Sequence, residues 1–183
     1  MSSPLAIIDF WLRHGPAAWF SRNAALDAEI AADFTDLHFQ ASRCEFSDWE
    51  ETPEGTLALL LLLDQFPRNL FRGSGHSYAT DPLARAIAHR ALARRFDKEV
   101  TPILRPFFYL PFEHSEDLED QKVSIALFEQ HRDETGDAEP LKWAIVHLDL
   151  IERFGRFPHR NAALGRETTP DEQAYLDADG FKG

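Results

Sequence analysis

The sequence predicts an all-α protein of seven to eight helices, arranged as stacked antiparallel hairpins. Residues that start helices recur along the chain, and apolar residues repeat with a helical period between them. No segment shows the sustained alternation that is typical of a surface strand. Because the connections between the predicted helices are mostly short, neighbouring helices are expected to pack as hairpins.

Five predicted helix starts place a capping residue directly before a proline, which suits the first helical position. They are Ser3-Pro4, Thr52-Pro53, Asp81-Pro82, Thr101-Pro102 and Thr169-Pro170. Ser115, followed by two acidic residues, is expected to cap a further helix, since acids in the first turn complement the helix dipole. The predicted helices cover residues 5–12, 24–43, 53–66, 82–96, 102–110, 116–131, 139–154 and 170–178.

The spacing of apolar residues supports several of these predicted helices. In the second helix, Leu26, Ile30 and Phe34 are four residues apart and share one face. The third is leucine-rich and is predicted to end where Pro67 interrupts it. In the sixth, Gln121 lies on the apolar face and is expected to point inward, where its amide needs partners.

Length, charge and composition limit the classes to which this protein can belong. The 183 residues suit one domain over 1–183, and the net charge of -12 argues against nucleic acid as a partner. The single cysteine, Cys44, excludes an intrachain disulfide and suits the cytoplasm. The longest apolar run has seven residues, against roughly 20 for a membrane helix, and no secretory signal is recognised. We therefore expect a cytoplasmic protein that does not bind membranes.

The stretch "LLLLLDQFPRN" ends a leucine-rich helix with an acid at core spacing, Asp64. A buried carboxylate is costly unless it is paired, so Asp64 predicts a structural ion pair. Its candidate partners are Arg68, Arg72 and the arginines near residue 156. The alternative is that Asp64 orients an arginine whose remaining donors face a ligand.

The stretch "FEHSED" places Glu113 and His114 just before a predicted helix. A histidine beside a carboxylate can act as an acid or base, which makes both catalytic candidates. Acids at a helix start are also the ordinary complement to the dipole. The histidine spacing does not match that of a zinc-binding helix, and we expect neither a metal nor a cofactor.

The stretch "RFGRFPHRN" carries more hydrogen-bond donors than the end of a helix needs. Gly155 suits a C-cap, which leaves Arg156, His159, Arg160 and Asn161 without a local role. Arginines grip carboxylates or phosphates with two parallel hydrogen bonds. His147, one helix earlier, is interpreted as a core histidine with satisfied hydrogen bonds.

Three long words, "LLLDQFPRNLFRG", "LPFEHSEDLEDQ" and "RFGRFPHRNAALGRETTPDEQAYL", together resemble a bacterial family known as domain of unknown function 924. The similarity extends to the opening "IIDFWL" and the ending "GFKG". The resemblance implies an all-helical, tetratricopeptide-like fold and no established activity. The tetratricopeptide repeat signature itself is absent from the sequence.

These three stretches suggest two hypotheses about function, from different classes of protein. In the first, the three stretches converge on a pocket that binds a small anionic molecule, and an acid or base in it leaves enzymatic activity open. Its ligand-binding candidates are Arg68, Arg72, Gln121, Arg156, Arg160 and Asn161, and its catalytic candidates are Glu113, His114 and His159. In the second, the protein is an adaptor whose aromatic surface binds a peptide or protein partner. A homodimer built on the third stretch is a further alternative.

Overall fold

The computed structural model describes residues 3–178, 180 and 181. Its secondary structure is helical throughout, with no strand among these residues, which confirms the predicted all-α class. The described residues group into two compact units, one within residues 1–72 and 76–111 and the other within residues 73–75 and 112–183. They are called unit 1 and unit 2. The assignment of all 183 residues to one domain stays a prediction.

Unit 1 is built from helices that surround a leucine-rich segment. Its helices are α1 Pro4–His14, α2 Pro16–Trp19, α3 Ala24–Ser42, α4 Pro53–Leu60, α5 Phe66–Leu70 and α6 Asp81–Ala93. Helix α7, Pro106–Glu113, begins in unit 1. Helices α1 and α6 pack against α4, and α3 packs against α5. The leucines of residues 57–63 are all buried, which stabilises unit 1 by roughly 1.5–3 kcal/mol for each side chain.

The prediction that the helical path ends at Pro67 was wrong, because it continues through this residue. A π-helical segment, Leu61–Gln65, carries the chain into α5, which contains Pro67 in its first turn. Pro67 has no N–H for the carbonyl of Leu63, four residues earlier. The hydroxyl of Thr80 donates to that carbonyl at 2.5 Å, and Nδ1 of His38 bonds to the Leu62 carbonyl at 2.9 Å. Side chains distant in sequence therefore satisfy the backbone that the proline leaves open.

Unit 2 is centred on a helical hairpin. Helices α8, Leu118–Thr135, and α9, Glu139–Phe154, pack against each other, and α10, Pro170–Asp177, follows a 3-10 turn at Pro158–Arg160. The predicted C-cap is confirmed, because Gly155 has φ +69° and its N–H donates to the Ile151 carbonyl at 2.8 Å. Phe157 packs with Leu150 and Ile151 in a buried apolar cluster of this unit.

Three of the predicted caps are confirmed, and three are corrected. Ser3, Thr52 and Thr169 cap helices through their side chains. Thr101 precedes a 3-10 helix, Pro102–Leu104, without a side-chain cap. Helix α6 begins at Asp81 itself, after Thr80.

The cap of α8 is Asp117 instead of Ser115, because its carboxylate accepts from the N–H of Glu119 at 2.8 Å. The hydroxyl of Ser115 donates to Asp120 and accepts from the N–H of Asp117. Ser115 therefore supports the turn that precedes the helix and does not cap it.

Among the described residues, no helix combines the length and the apolar character required to cross a bilayer.

Candidate functional site

Arg68 of the first polar stretch contacts two buried carboxylates in unit 1. Its Nη1 and Nη2 donate to Oδ1 and Oδ2 of Asp81, each at 3.0 Å, and Nη1 lies 3.5 Å from Oδ1 of Asp64. The side chain of Asp64 is 1% exposed. Burial alone would lower the pKa of Arg68, but the charges of Asp64 and Asp81 raise it. The expected ion pair of Asp64 is thus made within the same stretch, with Asp81 as a second carboxylate.

Arg72 also binds a carboxylate of its own chain. Its Nε and Nη2 donate to the two oxygens of Asp27 at 2.7 and 2.8 Å, and Asn69 donates to the same side chain at 2.8 Å. The hydrogen bond from Arg72 lowers the pKa of Asp27. These bonds hold the start of α3 to the end of α5.

Arg156 joins the end of α9 to the start of α10. Its Nε and Nη2 donate to the two oxygens of Glu172 at 2.6 and 2.8 Å. The same carboxylate accepts from the side chain of Asn161 at 3.1 Å and from the N–H of Thr169 at 2.8 Å. The hydrogen bond from Arg156 is the main cause that lowers the pKa of Glu172 to about 2. This buried carboxylate therefore holds Arg156 and Asn161 of the third stretch against the start of α10.

Glu116 links the second stretch to the third. Its carboxylate accepts from Nη1 and Nη2 of Arg166 at 2.7 and 3.0 Å and from the N–H of Phe157 at 2.8 Å. Burial would raise the pKa of Glu116, but the hydrogen bonds from Arg166 and Phe157 lower it. Of the three stretches predicted to converge, the second and the third therefore meet within unit 2.

A surface groove of about 570 Å³ on unit 2 is lined by Arg156, Arg166 and residues 167–170. Both guanidinium groups are bonded to carboxylates, Arg156 to Glu172 and Arg166 to Glu116. Glu167 also lines the groove. These carboxylates balance the arginines, so the groove has no excess positive charge with which to attract an anion.

Glu113 lies against His147, and both side chains are buried. Nδ1 of the imidazole is 3.2 Å from Oε1 of Glu113 and 2.8 Å from the carbonyl oxygen of Trp143. An uncharged imidazole that donates through Nδ1 to these acceptors has its lone pair on Nε2. Burial, together with the nearby positive charges of His114, Arg160 and His159, lowers the pKa of His147 to about 3. His147 is therefore uncharged at neutral pH, with its tautomer set by two oxygen acceptors.

Three polar groups pack around the fully buried ring of Phe157. The guanidinium carbon of Arg160 lies 4.5 Å from the ring centroid, and the imidazoles of His147 and His159 lie 5.4 and 5.6 Å away. The ring of His114 is 6.2 Å from that of His147. We call this group, which consists of His114, His147, His159 and Arg160, the histidine cluster.

The histidine cluster combines cationic donors with one oriented acceptor. Arg160 is buried, and protonation of His114 or His159 adds positive charge beside it. A guanidinium in a low-dielectric setting attracts an anion strongly. Nε2 of His147 supplies the complementary acceptor for a proton of a bound molecule. No group of three or more side chains among the described residues is arranged to hold a metal ion.

The predicted site residues divide between the two units. Arg68 and Arg72 lie in unit 1 and bind carboxylates of their own chain. The candidates in unit 2 are Glu113, His114, Gln121, Arg156, His159, Arg160 and Asn161. Gln121 points inward as expected, and its amide donates to the carbonyls of Glu113 and Ser115 at 2.6 and 2.7 Å. Binding by any of these residues stays a prediction.

Sequence reasoning missed two participants. His147 was interpreted as a core histidine; it is buried and bonded to a backbone carbonyl, as that interpretation implies, but it also contacts Glu113. Their separation of 34 residues gives no local signal. Glu172 could have been found, because Thr169 followed three residues later by a glutamate matches the capping-box pattern that the structure contains.

Comparison with known proteins finds a matching bacterial family. The family model described as a bacterial protein of unknown function, domain of unknown function 924, matches residues 7–180. A solved structure of a protein of unknown function from Agrobacterium tumefaciens is 50% identical in sequence, with a TM-score of 0.89. The match covers 96% of this chain and 97% of that one. No curated protein matches the sequence.

Proposed function

The chain belongs to the bacterial family of domain of unknown function 924, and we propose that it binds a small anionic molecule at the histidine cluster of unit 2. The observation that carries the proposal is the contact between the buried carboxylate of Glu113 and Nδ1 of His147, beside Arg160. Burying ionisable groups costs folding free energy, and perturbed groups of this kind concentrate at functional sites.

The charge of the cluster selects the class of ligand. Burial is the main cause that disfavours a proton on His147, and the positive charges of His114, Arg160 and His159 act in the same direction. An anion placed beside these cationic groups is attracted by the same charges. Arg156 and Arg166 lie outside the histidine cluster, and each forms two hydrogen bonds with a buried or half-buried carboxylate.

Acid–base chemistry follows from the same geometry. Glu113 and the Trp143 carbonyl hold the Nδ1 proton of His147, so Nε2 is the atom that accepts a proton from a bound molecule. The negative charge of the ligand raises the pKa of His147 toward neutrality. Binding of the anion and protonation of His147 are therefore coupled, and affinity should rise as the pH falls from 7 to 5.

The test is a titration of the purified protein with inorganic phosphate, citrate and malate. Imidazole ¹⁵N resonances and the melting temperature are recorded at pH 7 and pH 5. We expect at least one probe to shift the His147 resonances in a saturable way and to raise the melting temperature by mass action. The effect should disappear in Arg160→Gln and persist in Arg72→Gln, its matched control in unit 1.

Two results would contradict the proposal. One is that no probe perturbs His147 at either pH. The other is that a probe binds Arg160→Gln as tightly as the wild type. If Arg160→Gln does not fold, His114→Gln, at a half-buried position, takes its place.

A second candidate is an adaptor that binds a peptide or protein through α9. Trp143 and Ile145 on this helix are 52% and 44% exposed, and a partner that covered them would remove apolar surface from water. A protein that binds none of the anions would favour this candidate, and loss of a captured partner in Trp143→Glu would support it.

A further inference from the structure

Gln121 on α8 has an amide whose orientation is fixed by the backbone around it. Its nitrogen donates to the carbonyl oxygens of Glu113 at 2.6 Å and Ser115 at 2.7 Å, with a longer contact of 3.4 Å to that of Phe112. A flipped amide would place its oxygen against three carbonyl oxygens, which repel it. Nε2 therefore faces these carbonyls, and Oε1 points away from them.

The amide oxygen of Gln121 has no hydrogen-bond partner among the described residues, although the side chain is 0% exposed. The hydroxyl of Ser124 is in the same condition, fully buried and without a partner in the described part of the chain. Buried polar groups are almost always hydrogen-bonded, and each one left without a partner costs about 1–3 kcal/mol. Two of them together require an explanation.

The positions of Gln121 and Ser124 bring these two atoms to one side of α8. Residues three apart on a helix are neighbours, with Cβ atoms roughly 5–6 Å apart. The amide oxygen can only accept a hydrogen bond, whereas the hydroxyl can donate or accept. A hydroxyl or ammonium group between them donates to Gln121 and pairs with Ser124, which satisfies both.

Glu113 connects the side chain of Gln121 to the histidine cluster. Nε2 of Gln121 bonds to the backbone carbonyl of Glu113, and the carboxylate of Glu113 contacts Nδ1 of His147. A bound molecule that reaches both places needs an anionic end and a hydrogen-bond donor.

We propose that Gln121 Oε1 and Ser124 Oγ form a subsite for the hydroxyl or ammonium group of the anion bound at the histidine cluster. The inference rests on the proposed function and narrows its ligand to a hydroxy acid, an amino acid or a hydroxylated phosphate. A plain carboxylate or phosphate leaves both atoms unpaired and binds more weakly.

The test compares anions that differ in one donor group, with the imidazole resonances of His147 as the readout. The pairs are malate and succinate, lactate and propionate, and glycerol phosphate and propyl phosphate, with aspartate as the ammonium counterpart of malate. In every pair that binds, we expect the member with the donor to bind at least tenfold more tightly. The affinities for malate and aspartate then show whether the subsite prefers a hydroxyl or an ammonium group.

Ser124→Ala is the matched variant, because the hydroxyl has no partner in the described protein and its removal should leave the fold intact. It should abolish the preference within each pair without weakening the member that lacks the donor. Ser77→Ala is the control, since the Ser77 hydroxyl is buried and donates to the Phe71 carbonyl at 2.5 Å in unit 1. That variant should lose stability and keep the preference.

The outcomes separate this inference from the function on which it rests. Equal affinities within the pairs, or a preference that survives in Ser124→Ala, would overturn the subsite and leave anion binding in place. An ordered water bonded to Gln121 and Ser124 in a crystal structure with malate bound would overturn it as well. If no anion perturbs His147, both proposals fail.

Discussion

The carbonyl oxygen of Leu63 accepts a hydrogen bond from the hydroxyl of Thr80 at 2.5 Å. This contact gives the Leu63 carbonyl the donor that Pro67 cannot supply. The π-helical segment Leu61–Gln65 carries Asp64 into the buried ion-pair network of unit 1.

Replacing Thr80 by valine should destabilise the protein by about 1–3 kcal/mol, because the Leu63 carbonyl loses its donor while the side-chain volume is kept. Urea unfolding measures this difference. Thr35→Val is the matched control, since the Thr35 hydroxyl only bonds back to the Ala31 carbonyl within α3. Equal losses in the two variants would show that the Leu63 contact has no special role.

Replacing Arg68 by methionine should cost about 3–5 kcal/mol, because Asp81 loses two hydrogen bonds and a buried carboxylate loses its countercharge. Arg72→Met removes a partly exposed pair with Asp27 and should cost about 1 kcal/mol or less. Calorimetry or urea unfolding measures the free energy of unfolding of each variant. Equal losses of stability in Arg72→Met and Arg68→Met would contradict the expected effect of burial.

The stability of the protein should fall as the pH drops below 6.5, in part because of His147. Its folded pKa is about 3 against an unfolded value of 6.5, so between these values the unfolded chain binds the extra proton. This contribution is complete above pH 6.5 and declines by up to about 1.4 kcal/mol for each pH unit below it.

The contribution of His147 can be isolated by measuring urea unfolding at pH 7, 6 and 5, above the unfolded pKa of the acidic residues. His147→Gln should flatten the decline, while His89→Gln, at an exposed position of α6, should not. Some decline should remain, because burial also lowers the pKa of His38. An unchanged slope in His147→Gln would mean that its imidazole is protonated in the folded protein.

Glu172→Gln should destabilise the protein by about 1.5–3 kcal/mol, since the carboxylate accepts charge-assisted hydrogen bonds from Arg156 and completes the capping box of α10. The wild type should lose this difference as the pH falls from about 4.5 toward 2, because the folded pKa of Glu172 is the lower one. Glu167→Gln, at an exposed position just before α10, should have little effect. Melting temperatures of the two variants between pH 7 and pH 3 provide the comparison.

Local features of the fold were predictable where local chemistry decides them. The helix starts at Pro4, Pro53 and Pro170 and the glycine that ends α9 each depend on residues within one turn. The continuation past Pro67 depends on Thr80, which is 13 residues further along the chain. A prediction from neighbours in sequence cannot include that contact.

The candidate site was predictable as a list of residue types and not as a set of contacts. Arginines near carboxylates imply ion pairs, but Arg156 pairs with Glu172 and Arg166 with Glu116, which sequence spacing does not indicate. The contact joins Glu113, the last residue of α7, to His147 of α9, which lies 34 residues further along the chain. Only the folded protein brings them within 3.2 Å of each other.

The pairing of Glu116 with Arg166 spans 50 residues of chain and encloses the whole hairpin of α8 and α9. Closing so long a loop before the hairpin exists is entropically unfavourable, whereas after it has formed the ends are already near each other. The ion pair therefore belongs to the late steps of folding. Weakening this ion pair should therefore raise the unfolding rate of unit 2 and leave its folding rate nearly unchanged.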